Sequence, residues 1–88
     1  MQTLKKWNWD TRSYETYKVP DEWYVTAYEN NMHRLVNCAQ CGEVLPYGQT
    51  YTSREVHTDI GFGFAVCEKC NQEEFKRDPR YQVTGGDA

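Results

Sequence analysis

The chain has 88 residues, with 13 acidic against 10 basic side chains and a net charge of −3. That length allows one domain, of a size whose hydrophobic core alone supplies only about 3–5 kcal/mol and usually needs a staple. The basic residues are scattered, with only Lys5-Lys6 and Lys76-Arg77 adjacent, which argues against a general binder of phosphate backbones. No apolar run approaches the ~18 residues of a membrane span, and no charged segment leads into an apolar one at the start, so a cytoplasmic protein is expected. Aromatic residues make up 15% of the chain, and with so few Ile and Leu these rings are expected to form the core.

Leu4, Trp7 and Trp9 stand in a polar background, and Trp7-Asn8-Trp9 has the period of two of a half-buried strand. Asp10-Thr11-Arg12-Ser13 reads as a turn. Tyr14 to Val19 is rich in aromatic and β-branched residues and stops at Pro20, so residues 5–19 are expected to form a hairpin, or else an extended arm wrapped over the downstream chain. Pro20-Asp21-Glu22 carries helix-start chemistry, but Trp23-Tyr24-Val25-Thr26 favours a strand, so a turn and irregular chain are expected as far as Asn31. Arg34 to Asn37 then reads as a short strand.

It delivers the chain into Cys38-Ala39-Gln40-Cys41-Gly42. A second pair, Cys67-Glu68-Lys69-Cys70, follows after 25 intervening residues and uses up the remaining cysteines. Each pair presents two thiolates from one tight turn, and two such turns close a tetrahedral S4 shell around one structural Zn2+. Cys38, Cys41, Cys67 and Cys70 are therefore the metal ligands, with iron the alternative that suits the same shell. Two disulfides would require an oxidising compartment, and a redox pair would require a βαβ unit that the pattern lacks. With its ligands the zinc-loaded form would carry about −5. Gly42 supplies a permissive backbone that lets amides turn toward sulfur.

Between the pairs, Glu43 to Gln49 reads as a short apolar arm and a turn. Thr50 to Thr58 reads as a strand, Asp59-Ile60-Gly61 as a bend, and Phe62 to Val66 as the returning strand, with Gly63 marking a bulge or a close approach. From Cys67 the composition becomes helical, with Phe75 able to point back at the hairpin, until Asp78-Pro79 ends it. Tyr81 and Val83 suit a short strand, and 84–88 a disordered tail. The expected organisation is an aromatic-rich β extension over 1–33 and a zinc-binding domain over 34–83, in the α+β class.

The order of knuckle, β-hairpin and a helix whose first turn carries the second CxxC resembles a treble-clef zinc finger over residues 34–78. Val66-Cys67-Glu68-Lys69-Cys70 running on to Asp78-Pro79-Arg80-Tyr81, behind an N-terminal CxxCG, is similar to Fin, a family of small Bacillus anti-sigma factors that bind RNA polymerase or its sigma factor. The whole chain also resembles small uncharacterised zinc proteins of Firmicute bacteria and their phages. These resemblances imply a small regulator of transcription and name no catalytic residue.

Treble clefs also include HNH nucleases, in which a hairpin histidine is the general base and the helix supplies a metal ligand. His57 and Asp59 lie near the hairpin, but the stretch from Cys67 has no histidine and His33 lies upstream of the knuckle, so no enzyme is expected. His33 and His57 read as an exposed polar residue and a cross-strand hydrogen-bond partner. Ser53-Arg54-Glu55 reads as a solvated strand face with one ion pair, or as a recognition surface. Trp7, Trp9 and Trp23 suit either core or interface.

The expected function is a non-enzymatic protein-interaction module acting on RNA polymerase or a sigma factor. The competing readings are a nucleic-acid-binding finger using Lys69, Lys76, Arg77 and Arg80, and a structural subunit that docks through its hairpin edge.

Overall fold

The computed structural model describes residues 1–79. Strands β1 (Gln2–Asn8) and β2 (Ser13–Val19) form the N-terminal hairpin, in register from Gln2–Val19 to Asn8–Ser13. The intervening turn covers residues 9–12, so Trp9 falls outside the strand; Arg12 N donates to Asn8 O at 2.8 Å with Arg12 at φ 54°. β3 (Leu35–Asn37) and β4 (Val44–Pro46) form a second, two-stranded antiparallel ribbon around the first cysteine pair. A 3-10 turn leads to β5 (Tyr51–His57) and β6 (Gly63–Val66), and α1 (Glu68–Arg77) closes the described chain.

The N-terminal hairpin does not stand apart from the zinc module. β1 pairs antiparallel with β5 through Lys5–His57 and Lys6–Val56, which gives one four-stranded sheet of order β2-β1-β5-β6. The class is α+β: among the described residues, antiparallel sheets are followed by one helix, with a knuckle, hairpin and helix in that order. Helix α1 starts where Cys67, in extended conformation, takes the N-cap position, with Glu68 in the first turn and Lys76 and Arg77 in the last, which suits the helix dipole. It stops at Asp78 before Pro79, whose ring disfavours helical geometry in the preceding residue. The expected strand at Tyr81 and Val83, and the tail over 84–88, lie outside the described residues.

The core corrects one expectation. Its buried members are aliphatic: Leu4, Val19, Val56 and Val66 pack with Cys38, Ala39 and Cys67, while Tyr17, Trp23 and Phe64 lean on this group from outside and stay partly exposed. Small β-branched side chains fit the narrow space between a sheet and a cysteine cluster, and large rings serve better as covers with a wet edge. Trp23 covers the first knuckle so closely that a Cβ on Gly42 would overlap its indole; with φ at +82°, this position suits glycine on both counts.

Candidate metal centre and the polar network behind it

The first knuckle is held by backbone geometry. Cys38 N donates to Glu43 O at 2.8 Å, Gly42 N to Cys38 O at 2.9 Å, and Ala39 N to Ala65 O at 3.0 Å, so the turn is pinned to both the ribbon and β6. The second pair comes from the start of α1, Cys67 at its cap and Cys70 in its first turn, with Asn71 N donating to Cys67 O at 2.9 Å.

These elements bring all four sequence-predicted ligands together. One sulfur each from Cys38, Cys41, Cys67 and Cys70 lies within 4.8 Å of every other, and the Cys41 and Cys67 sulfurs are 3.7 Å apart. A tetrahedral shell with Zn–S bonds of ~2.3 Å has sulfur–sulfur edges of about 3.8 Å, so the cluster fits a single structural Zn2+. Two amides, those of Gln40 and Cys41, point at Cys38 Sγ at 3.4 Å each. Burial opposes ionisation of Cys38, but the amides of Cys41, Cys67 and Gln40 outweigh it and bring the thiol below its ordinary range. Burial pushes Cys67 up to about 11 and Cys70 higher still. A divalent cation reverses this preference by binding the thiolates, and so couples folding to metal. Cys38 and Cys67 are buried, Cys70 is half-buried, and Cys41 is exposed.

Behind the cysteines lies a network that corrects the reading of Ser53-Arg54-Glu55 as a solvated face. Ser53 and Glu55 are buried, as are Glu74 and Asp78 from the helix side. Glu55 accepts a bidentate pair from Arg77, Nε at 2.9 Å and Nη2 at 2.8 Å, and single bonds from Trp9 Nε1 at 2.9 Å and Gln40 Nε2 at 3.0 Å. Glu74 accepts from Gln40 Nε2 at 2.8 Å, Ser53 Oγ at 2.6 Å and Arg54 N at 2.6 Å. Arg54 lies over the Phe75 ring and 3.6 Å from Asp78. Burial opposes the charge on Glu55, but the hydrogen bonds from Arg77, Trp9 and Gln40 hold its carboxyl below the usual carboxylate range.

Ser53 Oγ also accepts from the amides of Glu55 and Val56, which accompanies the irregular register of β5 against β6. This irregularity lets adjacent Glu55 and Val56 both turn inward, which simple alternation forbids. Glu74 was legible in principle: it lies one helical turn beyond Cys70, so a helix that aims Cys70 at the metal aims Glu74 the same way.

The remaining candidates fall elsewhere. His33 is exposed in the 31–34 turn. His57 was expected to hydrogen-bond across strands, but among the described residues its buried Nδ1 has no hydrogen-bond partner, and the ring packs edge-on against Tyr14, in a row with Trp7. Desolvation lowers its pKa in spite of the nearby Glu74 and Glu55 charges. Trp9 is tied to Glu55, Trp23 covers the knuckle, and Trp7 packs on Tyr14, so each indole is part of the architecture. No helix among the described residues is long and apolar enough to cross a membrane. No family model, curated protein or solved structure matches the chain.

Proposed function

We propose that this chain is a zinc-stabilised, non-enzymatic protein-interaction module that regulates bacterial transcription by binding RNA polymerase or a sigma factor, in a bacterium or one of its phages. The observation that carries the interaction reading is the outward face of the β3–β4 ribbon. Leu35 is 61% exposed and Val44 59%, on the face of the ribbon opposite the paired inner residues Val36, which is fully buried, and Leu45, which is half-buried. A chain this small that turns two aliphatic side chains outward on a rigid ribbon presents a surface suited to another protein. Four thiolates fill a tetrahedral metal shell and leave no position for a substrate or an activated water, which supports a structural and not a catalytic ion. The choice of transcription machinery rests on the resemblance of Val66–Cys70 and Asp78–Tyr81, behind the first CxxCG, to the Fin anti-sigma factors.

Tagged, zinc-loaded protein used as bait in a bacterial lysate tests this reading, with and without nuclease, the recovered proteins being read by mass spectrometry. Polymerase or a sigma factor recovered in both arms supports it, and Leu35→Asp should abolish the recovery. Recovery that vanishes with nuclease rejects it.

A second reading, single-stranded nucleic acid, is favoured by one feature. A groove of about 620 Å³ is lined by Trp7 and Trp9 together with Lys6, Lys76 and Arg77. Its charge is balanced, since Glu55 holds Arg77 and Lys6 sits opposite Glu15. Binding to a labelled oligonucleotide that weakens steeply with added salt would select this reading over the first.

A further inference from the structure

The β3–β4 ribbon has two edges, and among the described residues only one is covered. On the β3 side, Asn37 N donates to Tyr24 O at 2.8 Å and Asn37 Oδ1 accepts from Tyr24 N at 2.7 Å, so the segment around Tyr24 lies alongside. On the other side, among the described residues, β4 pairs with β3 alone.

The register shows which backbone groups remain. Cys38 N donates to Glu43 O and Tyr47 N donates to Arg34 O, one residue pair beyond each end of the ladder. Alternation then makes Val36 and Leu45 the hydrogen-bonded pair, so the N–H and C=O of Leu45 face β3 while those of Val44 turn to the open edge. Pro46 adds a carbonyl to that edge and has no N–H to offer.

A groove of about 480 Å³ runs beside this edge, between β4 and the starts of β5 and α1. Leu45, Tyr51 and the buried Cys67 give it apolar walls, and Glu43 and Glu68 stand on its rim. The chain is acidic overall, and four thiolates around a divalent ion add two further negative charges next to the groove. Among the described residues Lys69 is the single cation of the lining.

We infer that the edge of β4 and its adjoining groove take up one extended, cationic segment of a partner protein as an added strand. Val44 supplies the backbone pairing, and alternate side chains of the incoming strand reach either the groove or the Leu35–Val44 face. Lysine or arginine in that segment meets Glu43 and Glu68. The seven-residue edge of β2 is longer, but its outward residues include both Glu15 and Lys18, so it has no charge preference of this kind. The inference rests on the protein-interaction reading and names the chemistry of the partner.

The test is an amide-shift titration of 15N-labelled, zinc-loaded protein with a capped Lys-Val-Lys-Val-Lys peptide, and in parallel with Glu-Val-Glu-Val-Glu. The cationic peptide should give saturable shifts confined to Glu43, Val44, Gln49, Tyr51 and Glu68, and the acidic one none. Val44→Pro removes the outward amide while sparing the bonds to β3, and should weaken binding about tenfold. Lys69→Glu should strengthen it about threefold. If Val44→Pro fails to load zinc, the Glu43→Lys, Glu68→Lys pair, both exposed, makes the same test by charge reversal. Equal response to the two peptides, shifts centred on β2 or on Trp7 and Trp9, or no saturation at millimolar peptide would overturn the proposal. Folded protein that ignores the peptide while still recovering its partner from lysate would refute this edge alone; failure of the lysate experiment refutes the broader reading.

Discussion

The side-chain amide of Gln40, within the first CxxC, donates at 2.8 Å to Glu74, one helical turn beyond the second. The two halves of the metal centre are thus joined by a hydrogen bond as well as by the ion they share. The same nitrogen reaches Glu55, so Gln40 lies between two buried carboxylates.

Replacing Gln40 should therefore cost more than an ordinary knuckle position. Gln40→Ala removes the donor from two buried acceptors, a loss of about 2 kcal/mol. Gln40→Glu should cost more, because it sets a third carboxylate against the first two. Thermal melts of the zinc-loaded variants should rank wild type above Gln40→Ala above Gln40→Glu. A Gln40→Glu melt within about 2 °C of wild type would rule this geometry out.

Arg77 holds Glu55 through two parallel bonds, a fork that lysine cannot reproduce. Arg77→Met leaves a fully buried carboxylate without its counter-ion. Because Arg77 itself is nearly half exposed, the cost should fall at about 2 kcal/mol, below that of a fully buried pair. Urea denaturation should show this loss, and adding Glu55→Gln to the Arg77→Met background should restore part of it. A second substitution that deepens the loss would show that the carboxylate charge is not the cause.

Metal removal should unfold the zinc domain. A chelator should abolish the cooperative melt, zinc content should be one ion per chain, and Cys38→Ser and Cys70→Ser should fail to accumulate as soluble protein. Either variant melting cooperatively at the wild-type temperature would contradict a structural ion.

Acid should destabilise the fold in two windows. Desolvation lowers the pKa of His57, so the folded state binds fewer protons there than the unfolded state. That stabilisation is complete above the unfolded value of about 6.5 and is lost as the pH falls through the lower folded value. Glu55 is depressed as well, and its contribution disappears at more acidic pH, below about 4.3. In excess zinc, the melting temperature should fall between pH 7.5 and 5.5, and His57→Phe, which preserves the edge contact with Tyr14, should flatten that slope. An unchanged slope in the variant would assign the effect to other groups.

The metal centre was legible from the sequence because cysteine spacing is nearly independent of the rest of the fold: two tight turns can meet around an ion wherever they lie in a chain. The hairpins and the helix were legible for local reasons, since Val19-Pro20, Gly61 and Asp78-Pro79 punctuate them. On its strand side the buried network was not legible. Ser53 and Glu55 have the composition of a surface, and an irregularity in β5, with Gln40 as a long-range partner of Glu55, turns them inward; Glu74 was foreshadowed only by its helical spacing from Cys70. The pairing of β1 with β5 was also hidden, because neither strand carries a local mark of which neighbour it will choose. Aromatic abundance suggested a core of rings, whereas the geometry of a sheet against a cysteine cluster selected valine.

β1 is the earliest strand of the chain and yet an interior strand of its sheet, with Lys5 waiting for His57. During synthesis at roughly 5–20 residues per second, it leaves the ribosome about 3–10 seconds before its second neighbour exists. Through that interval only β2 protects it, and its other side is an open template for pairing with any nearby strand. Sheet completion and zinc capture then fall due almost together, as β5, β6 and the second cysteine pair emerge in succession. Nascent chains short of metal at that moment would keep this template open longest, so expression in zinc-depleted medium is expected to lower the soluble yield.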